Sequence, residues 1–291
     1  MLGLRFPTLP GGSMRTRRTL LAALALLAAL GACSKQENSA PPSATITPPG
    51  DAATSIQGAR LIASGKLSVC SDIPYAPFEF NATDKTGGAT LTGFDVEVVR
   101  ALAAQLALAA EFKTTPFDAI IPSLAAGNCD MIASAATITD ARKQKVAFTQ
   151  PYFDADQSLL IRAADKGRYR QLADLKGKTI GVQSGTTGET YAKAHTPAGA
   201  TVKDFPGADD LFSALTSGDI DAVLQDFPVN KYRARMAAGQ FAVTETFRTG
   251  EQYGFAVAKD NPKLVAALDA ALARARQSGA YARIYQTWFG E

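Results

Sequence analysis

From Leu61 onward, short runs rich in β-branched and apolar residues alternate with stretches whose apolar residues recur every three or four positions. Such alternation marks α/β architecture, because strands follow a period of two or a continuous apolar run while helices follow a period near 3.6. The pattern predicts strands at 67–70, 112–114, 131–134, 158–162, 179–183, 202–205, 222–225 and 253–257. It predicts helices at 95–106, 119–125, 188–194, 208–215, 229–238 and 262–277. In the first of these helices Val98, Leu102 and Leu106 make one apolar stripe. Pro262, directly after Asn261, suits the opening of the last.

A faint repeat overlies this pattern. Leu124, Gly127 and Asp130 are spaced as Leu215, Gly218 and Asp221 are, 91 positions later, and apolar residues follow each aspartate. Each copy reads as a helix end, a glycine suited to the left-handed cap and a strand entering a core. Both sit in equivalent strand-helix-strand surroundings, which implies two similar α/β lobes.

The 291 residues suffice for two such lobes, and 46% hydrophobic with 20% charged residues is ordinary for a globular chain. The formal charge of +3 is unevenly placed. Positions 1–32 hold Arg5, Arg15, Arg17 and Arg18 and no acid, so the rest carries 26 basic against 27 acidic residues. That balance offers no field to attract nucleic acid. A basic stretch, the apolar run from Leu20 to Leu30 and small residues ending on Cys33 make an export signal, too short for a comfortable membrane span. The cut site resembles the lipobox of bacterial lipoproteins, which implies acylation of Cys33 and anchoring to membrane lipid; an ordinary secretory signal is the alternative. Residues 33–57 are Ser, Ala, Thr, Pro and Gln with few large apolar side chains, a tether reaching about 25–30 Å as a coil.

In open α/β sheets, ligands bind beyond the carboxyl ends of the strands. There the first lobe presents Asp72, Pro74, Tyr75 and Phe78 after one strand, and Ala135, Thr137 and Arg142 after another. The second lobe presents the Ser184-Gly185-Thr186-Thr187 turn, whose N–H groups open a helix, and Asp226. A ligand between them is expected to carry both charges close together.

Several stretches then combine: 70–80 (Cys-Ser-Asp-Ile-Pro-Tyr-Ala-Pro-Phe-Glu-Phe), Thr92-Gly-Phe-Asp-Val-Glu97, Phe117-Asp-Ala-Ile-Ile-Pro122, Thr137-Ile-Thr-Asp-Ala-Arg142, Gly181-Val-Gln-Ser-Gly-Thr-Thr187, Asp221-Ala-Val-Leu-Gln-Asp226 and Ile284-Tyr-Gln-Thr-Trp-Phe289. In this order and spacing they resemble the polar amino-acid-binding proteins of bacterial ABC importers. The resemblance implies the type II periplasmic binding protein fold, two Rossmann-like lobes joined by a two-strand hinge. The lobes would be 58–155 with 252–291, and 156–251, with crossings at 154–160 and 251–254. It implies that Arg142 clamps an α-carboxylate through two parallel hydrogen bonds and that Asp226 accepts from the α-ammonium. Thr137, with the backbone at Ser134 and Ala135, completes the shell, and Gly185 and Thr187 add contacts from the second lobe. Some family members carry serine where this chain has Ala135, which leaves only the main chain to contribute there. The resemblance also implies that Tyr75 and Phe117 would sandwich the ligand side chain and that Asp72, with Gln225 nearby, would face its distal end. A carboxylate there favours Arg, Lys, His or Gln over Glu or Asp.

The implied partners are an L-amino acid and an ABC permease of the inner membrane, with the protein a monomer exported to the periplasm or cell surface. No cofactor or metal is expected. The single histidine, His195, cannot build a zinc triad, and G-x-G-x-x-G and G-x-S-x-G are missing from the sequence. A cyclohexadienyl-dehydratase-like enzyme on the same fold, and a ligand-sensing module acting through another chain, are the competing functions. Cys70 and Cys129 are left with two states, a bridge or a pair of buried thiols.

Overall fold

The computed structural model describes residues 56–83 and 87–290. The expected leader, Cys33 and the tether up to 55 lie outside these residues. No helix among the described residues is long and apolar enough to cross a membrane.

The first lobe is built on a five-stranded sheet. Its strands are β1 (Lys66–Ser71), β4 (Ala109–Thr114), β5 (Met131–Ile132), β6 (Ala147–Phe148) and β12 (Ala256–Val257), in the order β4-β1-β5-β12-β6. A separate hairpin pairs β2 (Phe80–Thr83) with β3 (Ala89–Thr92). The second sheet holds β7 (Phe153–Arg162), β8 (Thr179–Gln183), β9 (Thr201–Phe205), β10 (Ala222–Asp226) and β11 (Phe241–Tyr253), in the order β11-β7-β10-β8-β9. The helices of the first lobe are α1 (Phe94–Gln105), α2 (Phe117–Ala125) and the short α3 (Asp140–Lys143). Those of the second are α4 (Thr187–His195), α5 (Ala208–Ser217) and α6 (Phe227–Met236). The chain ends through α7 (Pro262–Gln277) and α8 (Ala280–Phe289). The α/β class expected from the pattern is the class observed.

The internal repeat has a structural meaning. Gly127 and Gly218 both follow helices with φ of 75° and 89°, a left-handed turn that glycine makes without a Cβ clash. The aspartates three residues on do the same work in each lobe. Asp130 accepts from the Ser68 N–H of the adjacent β1 at 2.8 Å, and Asp221 accepts from the Thr179 N–H of the adjacent β8 at 2.9 Å. Each lobe therefore uses one carboxylate to tie the start of a strand to its neighbour.

The stripe on α1 faces inward as its spacing predicts, with Val98, Leu102 and Leu106 at most 1% exposed. Truncating Leu102 or Leu106 to alanine costs about 2–5 kcal/mol in a packed core. Cys70 of β1 and Cys129, two residues ahead of β5, are joined by a disulfide with a Cα–Cα distance of 5.7 Å.

Two expected strands change. The strand expected at 131–134 ends at Ile132, because the chain leaves the sheet there and turns through Ala135 at φ 44°. The strand expected at 253–257 is two: Tyr253 closes β11 in the second sheet, and β12 belongs to the first. Periodicity cannot show a run changing sheets. The strand over 241–252 and the helix over 280–289 were not among the expected elements. Two register shifts interrupt the alternation of β11, and Tyr281, Ile284, Trp288 and Phe289 pack α8 against the core of the first lobe.

β7 and β11 pair antiparallel, and they are the strands by which the chain enters and leaves the second sheet.

Candidate functional site

The carboxyl ends of β1 and β5 in one lobe, and of β8 and β10 in the other, face a common cleft. From the first lobe Tyr75, Phe117, Ser134, Ala135, Thr137 and Arg142 line it. From the second come Gln183, Thr186, Thr187 and Asp226.

Arg142 is placed by α3, whose N-cap Thr139 accepts from the Arg142 N–H at 3.1 Å. Its side chain folds back so that Nη1 donates to the Thr137 carbonyl at 2.8 Å and Nη2 donates across the cleft to the Gly185 carbonyl at 3.1 Å. The guanidinium lies over the Phe117 ring, 5.1 Å from its centroid. Burial lowers its pKa from the ordinary guanidinium value, and Asp226 and Glu251 act against that shift.

Asp226 ends β10 at 6% exposure and opens α6, where Pro228 sits in the first turn. Its Oδ2 accepts from the hydroxyls of Tyr75 at 3.0 Å and Tyr253 at 2.5 Å, and its Oδ1 accepts from Gln157 Nε2 at 2.5 Å. Burial, with the nearby Glu251 carboxylate, raises its pKa from 3.8 to about 6, and the three hydrogen bonds hold it back from going higher. A cation brought between Asp226 and Glu251 would relieve that repulsion.

Glu251 of β11 gathers both lobes. Its Oε2 accepts from Thr137 Oγ1 at 2.8 Å and Thr187 Oγ1 at 2.7 Å, and its Oε1 accepts from Gln157 Nε2 at 3.0 Å. The two threonine hydroxyls, one from each lobe, are 3.4 Å apart.

At the other end of the cleft, Asp72 Oδ2 accepts from Gln183 Nε2 at 2.5 Å. Burial raises the Asp72 pKa to about 6, against the lowering effect of the Gln183 bond, and Asp118 adds a smaller upward push.

Eight of the residues expected from sequence therefore line one cleft: Tyr75, Phe117, Ser134, Ala135, Thr137, Arg142, Thr187 and Asp226. Asp72 reaches it through Gln183, and Gly185 faces it with its carbonyl. Gln225 does not belong there. Neighbouring strand residues point to opposite faces, so while Asp226 faces the cleft, Gln225 turns inward and donates to Asn230 Oδ1 at 3.1 Å. Sequence reasoning had no role for Gln183, saw Thr186 only within the turn that opens a helix, and saw Gln157, Glu251 and Tyr253 only as parts of the two crossings. Gln183 and Tyr253 are the last residues of their strands, and the rule about carboxyl ends covers the final residue as well as the loop beyond it.

A larger cavity of about 710 Å³ lies elsewhere, beside β7 and β11, with Phe153, Phe227, Tyr232, Tyr285, Trp288 and Phe289 among its walls. These rings share the lining with Asp154, Asp156, Lys231, Arg235 and Glu251, and neither Arg142 nor Asp226 faces it. Among the described residues no group of three or more His, Cys, Asp or Glu is placed to hold a metal ion.

Two lobes facing one charged, narrow cleft, with the chain crossing between their sheets twice, define a two-lobed small-molecule-binding protein. Residues 67–291 match the model of the bacterial extracellular solute-binding proteins, family 3, and the chain belongs to that family. It is 34% identical over 236 residues to a histidine-binding periplasmic protein of Salmonella typhimurium, a match covering 77% of this chain and 87% of the relative. It is 32% identical over 231 residues to ABC transporter arginine-binding protein 1 of Escherichia coli, covering 78% and 92%. Among solved structures, an ancestral arginine-binding protein bound to glutamine superposes with a TM-score of 0.73 at 38% identity, covering 79% of this chain and 100% of that one. These relatives are binding proteins, and the chain is a solute-binding protein rather than an enzyme.

Proposed function

We propose that the protein is the extracytoplasmic substrate-binding component of an ABC importer for a polar or basic L-amino acid, with arginine, lysine, histidine and glutamine as the candidates. One observation carries this function: Arg142 and Asp226, the cation and the anion of the cleft, approach it from opposite lobes. The α-carboxylate goes to the Arg142 fork and the α-ammonium to Asp226, with Thr137 and the main chain at Ser134 and Ala135 around them. The side chain runs between Tyr75 and Phe117 toward Asp72 and Gln183. A cationic or amide tip suits that end, because it can take up the Asp72 carboxylate, which a second carboxylate would oppose. The names of the arginine- and histidine-binding relatives support the same ligand class.

The segments at 154–160 and 251–254 act as the hinge, and the lobes close as the second lobe engages a ligand first held by one. The protein works as a monomer, held to the membrane through acylated Cys33, and delivers its ligand to an ABC permease of the inner membrane.

Calorimetric titration against the twenty amino acids tests the ligand class. Saturable, micromolar or tighter binding of one or more of arginine, lysine, histidine and glutamine is expected, and binding of none of the twenty contradicts it.

A further inference from the structure

Beneath the cleft lies a pair of carboxyl groups that do not line it themselves. Glu79 and Asp95 are both 0% exposed, and among the described residues neither has an ion-pair partner. Each satisfies one oxygen on the cleft wall. Glu79 Oε1 accepts from Ser134 Oγ at 2.6 Å, and Ser134 Oγ accepts in turn from the Asp72 N–H at 2.9 Å. Asp95 Oδ2 accepts from the Ala135 N–H at 2.9 Å and from the Tyr152 hydroxyl at 2.6 Å. The other oxygens, Glu79 Oε2 and Asp95 Oδ1, are buried and have no hydrogen-bond partner. The two residues belong to strands of chain that are themselves tied together, since the Asp95 N–H donates to the carbonyl of Phe78, next to Glu79, at 3.0 Å.

Two ionised carboxylates side by side in a dry interior would each leave an oxygen without a donor and would repel one another. A single proton between the two free oxygens removes both defects: one group donates, the other accepts, and the pair carries one negative charge. We propose that Glu79 and Asp95 share one proton and serve as positioning residues for the cleft wall, holding Ser134, Ala135 and the Asp72 backbone where the ligand meets them.

The surroundings fit this assignment. Burial, then the Asp95 charge, push the Glu79 carboxyl well above its ordinary 4.5, with Asp72 and Asp226 adding to the push and the Ser134 bond opposing it. Burial raises Asp95 from 3.8 to about 7, against the bonds from Ala135 and Tyr152. The titratable groups around the pair are Asp72 and Tyr75 on the loop after β1, Tyr152 before β7, Asp226 at the end of β10 and Tyr281 on α8. None is a cation. Ala135 itself stands at φ 44°, a left-handed conformation that a non-glycine residue keeps only when neighbours hold it, and the Asp95 bond to its N–H is one such hold. Loss of the shared proton at higher pH would set two anions under this segment and loosen it.

The proposal rests on the amino-acid-binding function above, and its test keeps the two separable by reading unfolding as well as affinity. Glu79→Gln and Asp95→Asn each supply a fixed N–H to the partner carboxylate in place of the shared proton while keeping an acceptor for Ser134 or Ala135. L-arginine and L-histidine affinities and thermal unfolding midpoints are measured from about pH 5 to 9 for wild type, both single variants and the double variant. Wild-type affinity and midpoint are expected to fall on the alkaline side, affinity by about tenfold per pH unit at most for one proton. Each single variant is expected to stay within about threefold of wild-type affinity at pH 6, well under one pK unit of binding energy, and to lose the decline above about pH 7, while the fall of the midpoint through about pH 6 that Asp72 and Asp226 contribute remains in every variant. The double variant sets two amide donors against each other and is expected to fall below the sum of the singles. The proposal is overturned if the decline above about pH 7 persists in both singles, if the wild type shows none there, or if the double variant is no worse than the singles combined. If neither amino acid binds, the unfolding midpoints decide the proton-sharing question alone. The independent check is the wild-type-minus-single infrared difference spectrum at pH 6, in which the bands of Asp72 and Asp226 cancel; a protonated-carboxyl carbonyl band is expected to remain in it for both singles, and its absence is contradictory.

Discussion

The Tyr75 hydroxyl donates to Asp226 Oδ2 at 3.0 Å, so an aromatic ring of the first lobe completes the hydrogen bonding of the second lobe's carboxylate. The two residues are 151 positions apart in the chain, and their meeting needs both lobes in place. It gives one residue pair two functions: the ring supplies a flat wall for a ligand side chain, and the hydroxyl orients the group that receives the ammonium.

Separating those functions is direct. Tyr75→Phe keeps the ring and removes one neutral donor to a carboxylate, so affinity should fall by about three- to tenfold, in line with about 1 kcal/mol for a single hydrogen bond. Asp226→Asn keeps the shape and removes the charge, and should cost about 100-fold or more. Calorimetry on both variants checks the ranking, and a Tyr75→Phe loss as large as that of Asp226→Asn would contradict it.

The raised pKa of Asp226 gives opposite signs for stability and binding. In the ligand-free chain this carboxyl favours its proton, so its own contribution to stability is fully present below 3.8 and is lost as pH rises through about 6. Ligand binding needs the ionised form, so affinity should fall as pH drops through about 6, with a proton released on binding. Titrations in two buffers of different ionisation heat measure that proton, and affinity unchanged between about pH 7 and 5 would refute the role given to Asp226.

The Cys70–Cys129 bridge closes 59 residues of chain. A loop of that size implies about 4 kcal/mol of stabilisation from the unfolded state, commonly less in practice. Cys70→Ser/Cys129→Ser should lower the unfolding free energy by about 2–4 kcal/mol, and reductant should destabilise the wild type but not the double serine variant. Denaturant unfolding with and without dithiothreitol reads both.

Asp72 sets preference rather than the grip on the amino-acid end. Asp72→Asn should weaken L-arginine about tenfold more than L-glutamine, because only the former loses a charge partner, and Gln183 remains to hydrogen-bond either tip. Equal losses for the two ligands would remove the reason for preferring basic side chains.

How much of this was legible in sequence follows from what kind of information each feature needs. The α1 stripe and the run of β8 are local patterns, and they matched the structure closely because one face or both had to be buried. The repeat at Gly127 and Gly218 was visible, but its aspartates became interpretable only when each was seen bonding the next strand. Arg142, Asp226 and Tyr75 could be picked out because they follow strand ends or belong to recognisable stretches. Gln157 and Glu251 could not, since their roles depend on β7 and β11 lying side by side in the second sheet. Gln225 was placed in the wrong environment because adjacency to Asp226 in sequence means the opposite face on a strand. β5 is too short, and β11 too irregular, for periodicity to mark where they end.

The central claim is that Arg142 and Asp226 grip opposite charges of one zwitterion from the two lobes. The most direct measurement compares L-arginine with agmatine, which lacks only the carboxylate, and L-histidine with histamine, on the purified wild type and on Arg142→Ala. The wild type should prefer the amino acid by about 100-fold or more, and Arg142→Ala should lose most of that preference by weakening the amino acid while leaving the amine little changed. A preference of similar size in both proteins would mean that the carboxylate is held elsewhere, and the assignment of Arg142 would be wrong.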